Sequence, residues 1–129
     1  MKTINRMMTN ILSENLQESK DFYTTLFDLE VEFDSDWFIH LHSRDKQLEL
    51  GFVNADHAIV PQSIQVKNGG HYITFVVDIT DEVFEMAISK GYNILQIPEN
   101  TFYGQRRLLL QDPNGTVVDV SSPIPDIEL

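Results

Sequence analysis

The sequence predicts an α+β fold built from two consecutive βαβββ modules, and two observations support this prediction. One helix-like segment and four strand-like segments follow one another twice in the same order, and the two candidate helices start in step when residue 71 is aligned with residue 8. Each module alone is too short to bury a core, so the two are expected to act together. We predict a single domain over residues 1–129, with modules over 5–53 and 70–123 that form a curled mixed sheet, or half-barrel cup.

The first module starts with a predicted strand over residues 5–12, followed by a helix over 16–27. Asn15 is suited to cap the helix, because its side chain can accept a hydrogen bond from a free backbone N–H, and Glu18 follows at the capping-box spacing. Apolar residues recur on one face of this helix at the 3.6-residue period. Three short strands complete the module, predicted over residues 29–33, 37–43 and 47–53.

The polar segment 54–68, which contains Pro61, is predicted to connect the modules. The second module opens with the strand HYITFVVD, and Thr80 is suited to cap a helix that ends at Gly91. The DPNG sequence predicts a tight turn between the last two strands. Three strands follow the helix, predicted near residues 92–96, 105–111 and 116–121.

Charge and composition restrict the possible functions. The net charge is −11, with nine Lys and Arg residues spread along the chain, so a phosphate-binding surface for nucleic acid is not expected. No apolar run is long enough to span a membrane, and the N-terminus lacks the features of a signal peptide. The chain has no cysteine, which excludes disulfides and thiolate chemistry and fits a cytoplasmic protein.

Strand alternation singles out three side chains for chemistry. Successive strand residues face opposite sides of a sheet, and the helix of each module must cover one side. Glu49, His71 and Asp119 could then converge on the uncovered side and line the cup. Two carboxylates and an imidazole suit a divalent cation with mixed oxygen and nitrogen ligands. His40 and His42 share a face of one strand and are expected to be half-exposed.

Four segments resemble the vicinal-oxygen-chelate superfamily, which includes glyoxalase I, extradiol dioxygenases, fosfomycin-resistance enzymes and bleomycin-resistance proteins. They are NLQESKDFYTTLF, LELGF, GHYITFVVD and GQRRLLLQDPNGTVVDV, and the resemblance covers about residues 6–123. Metal-dependent members hold their ion with four strand residues. The resemblance implies that these metal-ligand positions fall here on Met8, Glu49, His71 and Asp119. Met8 replaces a His or Gln, and a thioether is a weak ligand for hard cations. Aspartate also replaces the last glutamate, so the implied metal set is degraded.

The segment DSDWFIHLHSRDKQLELGF resembles the matching region of bleomycin-resistance proteins, which bind a drug without chemistry. Trp37 stands at the position of an aromatic residue there, although ordinary core packing is an equal alternative. Ile39 is expected to join Trp37 in an apolar wall, with Phe102 and Tyr103 in a mobile loop over the opening. Arg106 or Arg107 could clamp a ligand carboxylate or phosphate, although pairing with Asp112 or Glu99 is the favoured alternative.

Two main hypotheses follow. The first is a cytoplasmic, homodimeric small-molecule-binding protein without a cofactor, whose apolar groove offers a few polar contacts from Glu49, His71, Arg107 and Asp119. The second is a metal-dependent lyase or isomerase of the glyoxalase type, in which one Zn, Ni, Mn or Fe ion polarises vicinal oxygens of the substrate. Glu49 or Asp119 would then act as the base. A dioxygenase is a third possibility, which lacks the second histidine of the usual facial triad.

Overall fold

The computed structural model describes residues 3–61 and 71–124, and two βαβββ modules are present as predicted. The chain divides into two compact units, Met1–Lys67 and Asn68–Leu129, each of which contains one four-stranded mixed sheet. The α+β glyoxalase-like fold is therefore confirmed. No helix within the described residues is long and apolar enough to cross a membrane.

The first unit contains one helix and four strands. In chain order they are β1 (Thr9–Ser13), α1 (Leu16–Phe27), β2 (Glu30–Asp34), β3 (Phe38–His42) and β4 (Glu49–Asn54). The strands lie in the order β1-β4-β3-β2, with β1 parallel to β4 and the other neighbours antiparallel.

Local chemistry accounts for the bounds of α1. The Asn15 side chain accepts a hydrogen bond of 3.1 Å from the Glu18 backbone N–H, as the capping pattern predicts. Asp28 ends the helix in the left-handed conformation, with φ of 58°. The buried face of α1 carries Tyr23, whose ring lies 5.1 Å from that of Phe52 on β4, and this contact holds the helix on the sheet.

The second unit repeats the arrangement. Its elements are β5 (Ile73–Val76), α2 (Thr80–Lys90), β6 (Asn93–Asn100), β7 (Gln105–Gln111) and β8 (Val117–Pro123). The strands lie in the order β5-β8-β7-β6, with β5 parallel to β8 and the other neighbours antiparallel.

The start of α2 differs from the prediction. Thr80 is the first residue of the helix rather than its cap, and Ile79 occupies the cap position without a side-chain hydrogen bond. The Thr80 hydroxyl instead donates to the Arg106 carbonyl at 3.0 Å and lies 2.9 Å from the Ser122 hydroxyl, because the helix is seated directly on the sheet. Gly91 ends the helix with φ of 74°, as predicted.

Candidate functional site

The two faces of the first sheet carry different side chains. The face that packs on α1 holds core residues, because β3 and β4 pair so that Ile39 lies opposite Phe52. Ile39 and Leu41 are both fully buried there. The predicted apolar groove wall is therefore corrected: strand alternation gives Ile39 to the core, and its side chain is not accessible to a ligand.

The other face of this sheet borders a cavity of about 720 Å³. Most of its lining side chains are polar or charged, and Met7 is the exception. The lining residues are Asn5, Arg6, Met7, Glu32, His40, His42, Lys46, Gln47 and Glu49. A site of this volume can hold a small organic molecule, but its walls are more polar than the predicted groove.

Glu49 lines this cavity, and its side chain is only 8% exposed. Arg6 donates hydrogen bonds to both carboxylate oxygens, with 2.5 Å from its Nε to Glu49 Oε2, and His40 Nε2 lies 2.7 Å from Oε1. These contacts, the Arg6 bond first, lower the pKa of Glu49 from its ordinary value of 4.5 to about 2. Glu49 is therefore ionised and fully engaged at neutral pH.

His42 and Glu32 form a second cluster of polar contacts in the same cavity. Its Nδ1 lies 2.6 Å from the Ser43 carbonyl oxygen, and its Nε2 lies 3.1 Å from Glu32 Oε1. Lys46 Nζ approaches the same Glu32 oxygen at 3.9 Å. His42 and His40 were predicted to be half-exposed. His40 is half-buried beside Glu49, whereas His42 is buried beside Glu32.

Trp37 and the aromatic loop remain candidates for ligand contact. Trp37 is half-buried just before β3 and stacks on His57, with 4.6 Å between the ring centroids. Phe102 is fully exposed and Tyr103 half-exposed in the turn between β6 and β7, and their rings meet edge to face at 5.3 Å. Their predicted contacts with a ligand stay a prediction.

Asp119 lies in the second sheet, and its side chain is 8% exposed. The Thr74 hydroxyl donates to it at 3.0 Å and the Ser121 hydroxyl at 2.8 Å, while Arg107 Nε lies 3.5 Å away. Along β8, Asp119 lies between the fully buried Val118 and Val120. Because successive strand residues face opposite sides of a sheet, the Asp119 side chain faces away from these core residues. Asp119 is a buried polar anchor whose charge is balanced by Arg107.

His71 was predicted to share a site with Asp119. It lies two residues before β5, is exposed, and falls outside the strand that was predicted to carry it. The register of β5 and β8 pairs Asp119 with Thr74 instead. The strand β5 therefore starts later than its apolar pattern suggests, and the approach of His71 to Asp119 stays a prediction.

The described residues do not gather into a metal ligand set. No group of three His, Cys, Asp or Glu side chains suited to a metal ion occurs within residues 3–61 and 71–124. Both oxygens of Glu49 face hydrogen-bond donors, one of them a guanidinium cation that would repel a metal. Met8, half-buried just before β1, offers only a thioether.

Two contacts of Glu49, with Arg6 and with His40, escaped the sequence analysis. Arg6 lies in the irregular segment before β1, and its partner is 43 residues further along the chain, so no local pattern links them. The contact of His40 had a signal, because the HLH sequence and LELGF lie on consecutive predicted strands that can pair as a hairpin. Cross-strand proximity to Glu49 could have been inferred from that hairpin.

Two βαβββ modules, each with a four-stranded mixed sheet, place this protein in the class of glyoxalase-like folds. The model of the Glyoxalase/Bleomycin resistance protein/Dioxygenase superfamily matches residues 3–120. The chain is a member of that superfamily. No curated protein matches the chain.

Solved structures share the fold at low sequence identity. One is a glyoxalase/bleomycin resistance protein/dioxygenase family enzyme from Burkholderia phytofirmans PsJN, 20% identical, covering 91% of this chain and 97% of its own, with a TM-score of 0.77. A glyoxalase/bleomycin resistance protein/dioxygenase from Nocardioides is 14% identical, covering 99% and 89%, with a TM-score of 0.72. TnmS3, an antibiotic-binding protein from Streptomyces sp. CB03234, is 18% identical, covering 95% and 98%, with a TM-score of 0.74.

Proposed function

We propose that this protein binds a small organic molecule in the cavity of the first unit and releases it unchanged. The observation that carries the proposal is the state of Glu49, whose two oxygens are engaged by Arg6 and His40. A carboxylate with a pKa of about 2 is a weak base at neutral pH. Glu49 is better suited to holding the shape and charge of a binding site than to proton transfer.

The second candidate base is similarly occupied. Asp119 accepts hydrogen bonds from Thr74 and Ser121 and lies beside Arg107, so its oxygens are occupied by contacts within the protein. Proton abstraction by either carboxylate would require these contacts to break first. This supports binding over the alternative of a metal-dependent lyase or isomerase.

Fold relatives agree with a binding role. TnmS3 shares the fold and is described as an antibiotic-binding protein, and binding of this kind needs burial and a few placed polar groups but no bond cleavage. The polar walls of the cavity direct this proposal to a ligand that itself carries polar groups. We also propose that the protein is a homodimer, as the resemblance to bleomycin-resistance proteins implies.

The test is a thermal-shift screen of small polar compounds against protein stripped of metal by a chelator. A ligand that binds only the folded state should raise the unfolding free energy by about 2.7 kcal/mol at 100 times its Kd. Mass spectrometry of the recovered compound should then show no change in mass or isomer composition. Stabilisation that requires an added divalent ion, or conversion of the compound, would contradict the proposal and favour the lyase or isomerase.

A further inference from the structure

The charged side chains of the cavity in the first unit differ in how far they are already engaged. Its carboxylates are Glu32 and Glu49, and its fixed cations are Arg6 and Lys46. Both oxygens of Glu49 accept hydrogen bonds from Arg6, and Glu32 Oε1 lies 3.1 Å from His42 Nε2. The carboxylates are therefore occupied by contacts within the protein.

The whole chain is acidic, with a net charge of −11. Two of its nine Lys and Arg residues nevertheless line this one concavity. Positive charge that collects in a cleft raises the local concentration of anions there. The chemistry of the lining therefore selects for charge as well as for size.

Arg6 and Lys46 are both accessible to a ligand. The Arg6 side chain is 60% exposed, and its two bonds to Glu49 fix the guanidinium plane while leaving donors on the terminal nitrogens. The Lys46 side chain is 69% exposed and reaches Glu32 only at 3.9 Å. Lys46 also has φ of 64°, in the left-handed region that lysine rarely adopts.

We infer that the ligand of this cavity carries an anionic group, a carboxylate or a phosphate, which Arg6 and Lys46 bind beside His42. The inference rests on the proposed binding function and adds the chemical class of the ligand. Glu49 then serves as the internal counterion that orients Arg6, in the way that a buried carboxylate prepares a guanidinium for bidentate recognition.

Four probes of similar size test the charge preference by isothermal titration: benzoate, phenyl phosphate, benzylamine and benzyl alcohol. The anions should bind about tenfold more tightly than the amine and the alcohol. The ratio of the two anion affinities tells which of the two groups the cavity prefers. Tighter binding of the amine or the alcohol would overturn the inference while leaving the binding function intact, and absence of anion binding at about 10 mM would also overturn it.

Charge variants then test the location. Lys46→Gln and Arg6→Gln should each weaken anion binding about tenfold. Arg44→Gln is the matched control, because it removes one positive charge from the same unit at a side chain that pairs outside the cavity with Asp28 and Glu30. An equal loss in Arg44→Gln would mean that only the general field of the protein matters, which contradicts the assigned site. Circular dichroism of each variant verifies folding. If Arg6→Gln is unfolded, the anion affinity of Lys46→Gln alone decides the test.

Discussion

At the scale of single residues, the sequence was most informative about which side of a strand a side chain takes. Alternation correctly separated Glu49 from its core neighbours Leu50 and Phe52, and the structure places Glu49 in the cavity. Alternation gave no information about partners distant in sequence, so the bond from Arg6 was missed. For Ile39 the same rule was applied to the wrong face, since the face covered by α1 cannot be identified from one strand alone.

The Arg6–Glu49 pair predicts a specific response to acid. Because the pKa of Glu49 is about 2 in the folded protein and ordinarily 4.5, its ionised form stabilises the fold above pH 4.5, and this stability is lost as the pH falls towards 2. Wild-type protein should therefore lose Tm faster than Glu49→Gln between about pH 5 and 2.5. The control is Glu85→Gln, on an exposed position of α2. Parallel Tm curves for wild type and Glu49→Gln would contradict the pairing.

Gly51 offers a second prediction at this scale. A Cβ added there would lie 2.3 Å from Asn10 Oδ1 and 2.9 Å from the Phe38 ring, so Gly51→Ala forces side chains apart on the cavity face. We expect a loss of roughly 1–3 kcal/mol in unfolding free energy, measured by urea denaturation. Asn10→Ala in the same chain should restore part of it, since it removes the closer contact. Additive losses in the double variant would show that the crowding lies elsewhere.

At the scale of elements, the helices were predicted more accurately than the strands. The bounds of α1 follow from its two end residues, Asn15 and Asp28. Gly91 likewise marks the end of α2. Strand bounds depend on where a partner strand stops pairing, which sequence pattern does not report. Thus β1 starts at Thr9 rather than residue 5, and β5 excludes His71.

The cap of α1 is testable by itself. Asn15→Ala removes the acceptor for the Glu18 N–H and should lower the unfolding free energy by about 1 kcal/mol. Asn15→Ser is the matched control, because serine supplies another cap oxygen and should retain most of the stability. Urea denaturation of the three proteins measures the difference. Equal losses in both variants would show that the Asn15 side chain acts through packing rather than through capping.

At the scale of the whole molecule, the repeated order of elements was sufficient to predict the fold. The superfamily match over residues 3–120 and the solved relatives at 14–20% identity show that the pattern persists where few residues are shared. The site was less predictable, because its charges depend on contacts made outside the motif segments. A cup that contains Glu49, His71 and Asp119 together would require both units, and it stays a prediction.

The homodimer is a prediction at the same scale. Its expected mass in solution is twice that of the chain, which is 14.9 kDa. Sedimentation equilibrium over a range of protein concentrations measures this directly. A single species at the chain mass, across concentrations where the protein remains folded, would contradict the dimer but not the binding function.

The central claim is that Glu49 holds the structure of a binding site and does not perform chemistry or bind a metal. Ligand affinity, measured by titration calorimetry on chelator-treated protein with a compound found by the screen, tests it most directly. We predict that the compound binds without added metal and is recovered unchanged, and that affinity falls in Arg6→Gln but not in Arg44→Gln. Binding that appears only after a divalent ion is added, and that is abolished in Glu49→Gln, would contradict the claim.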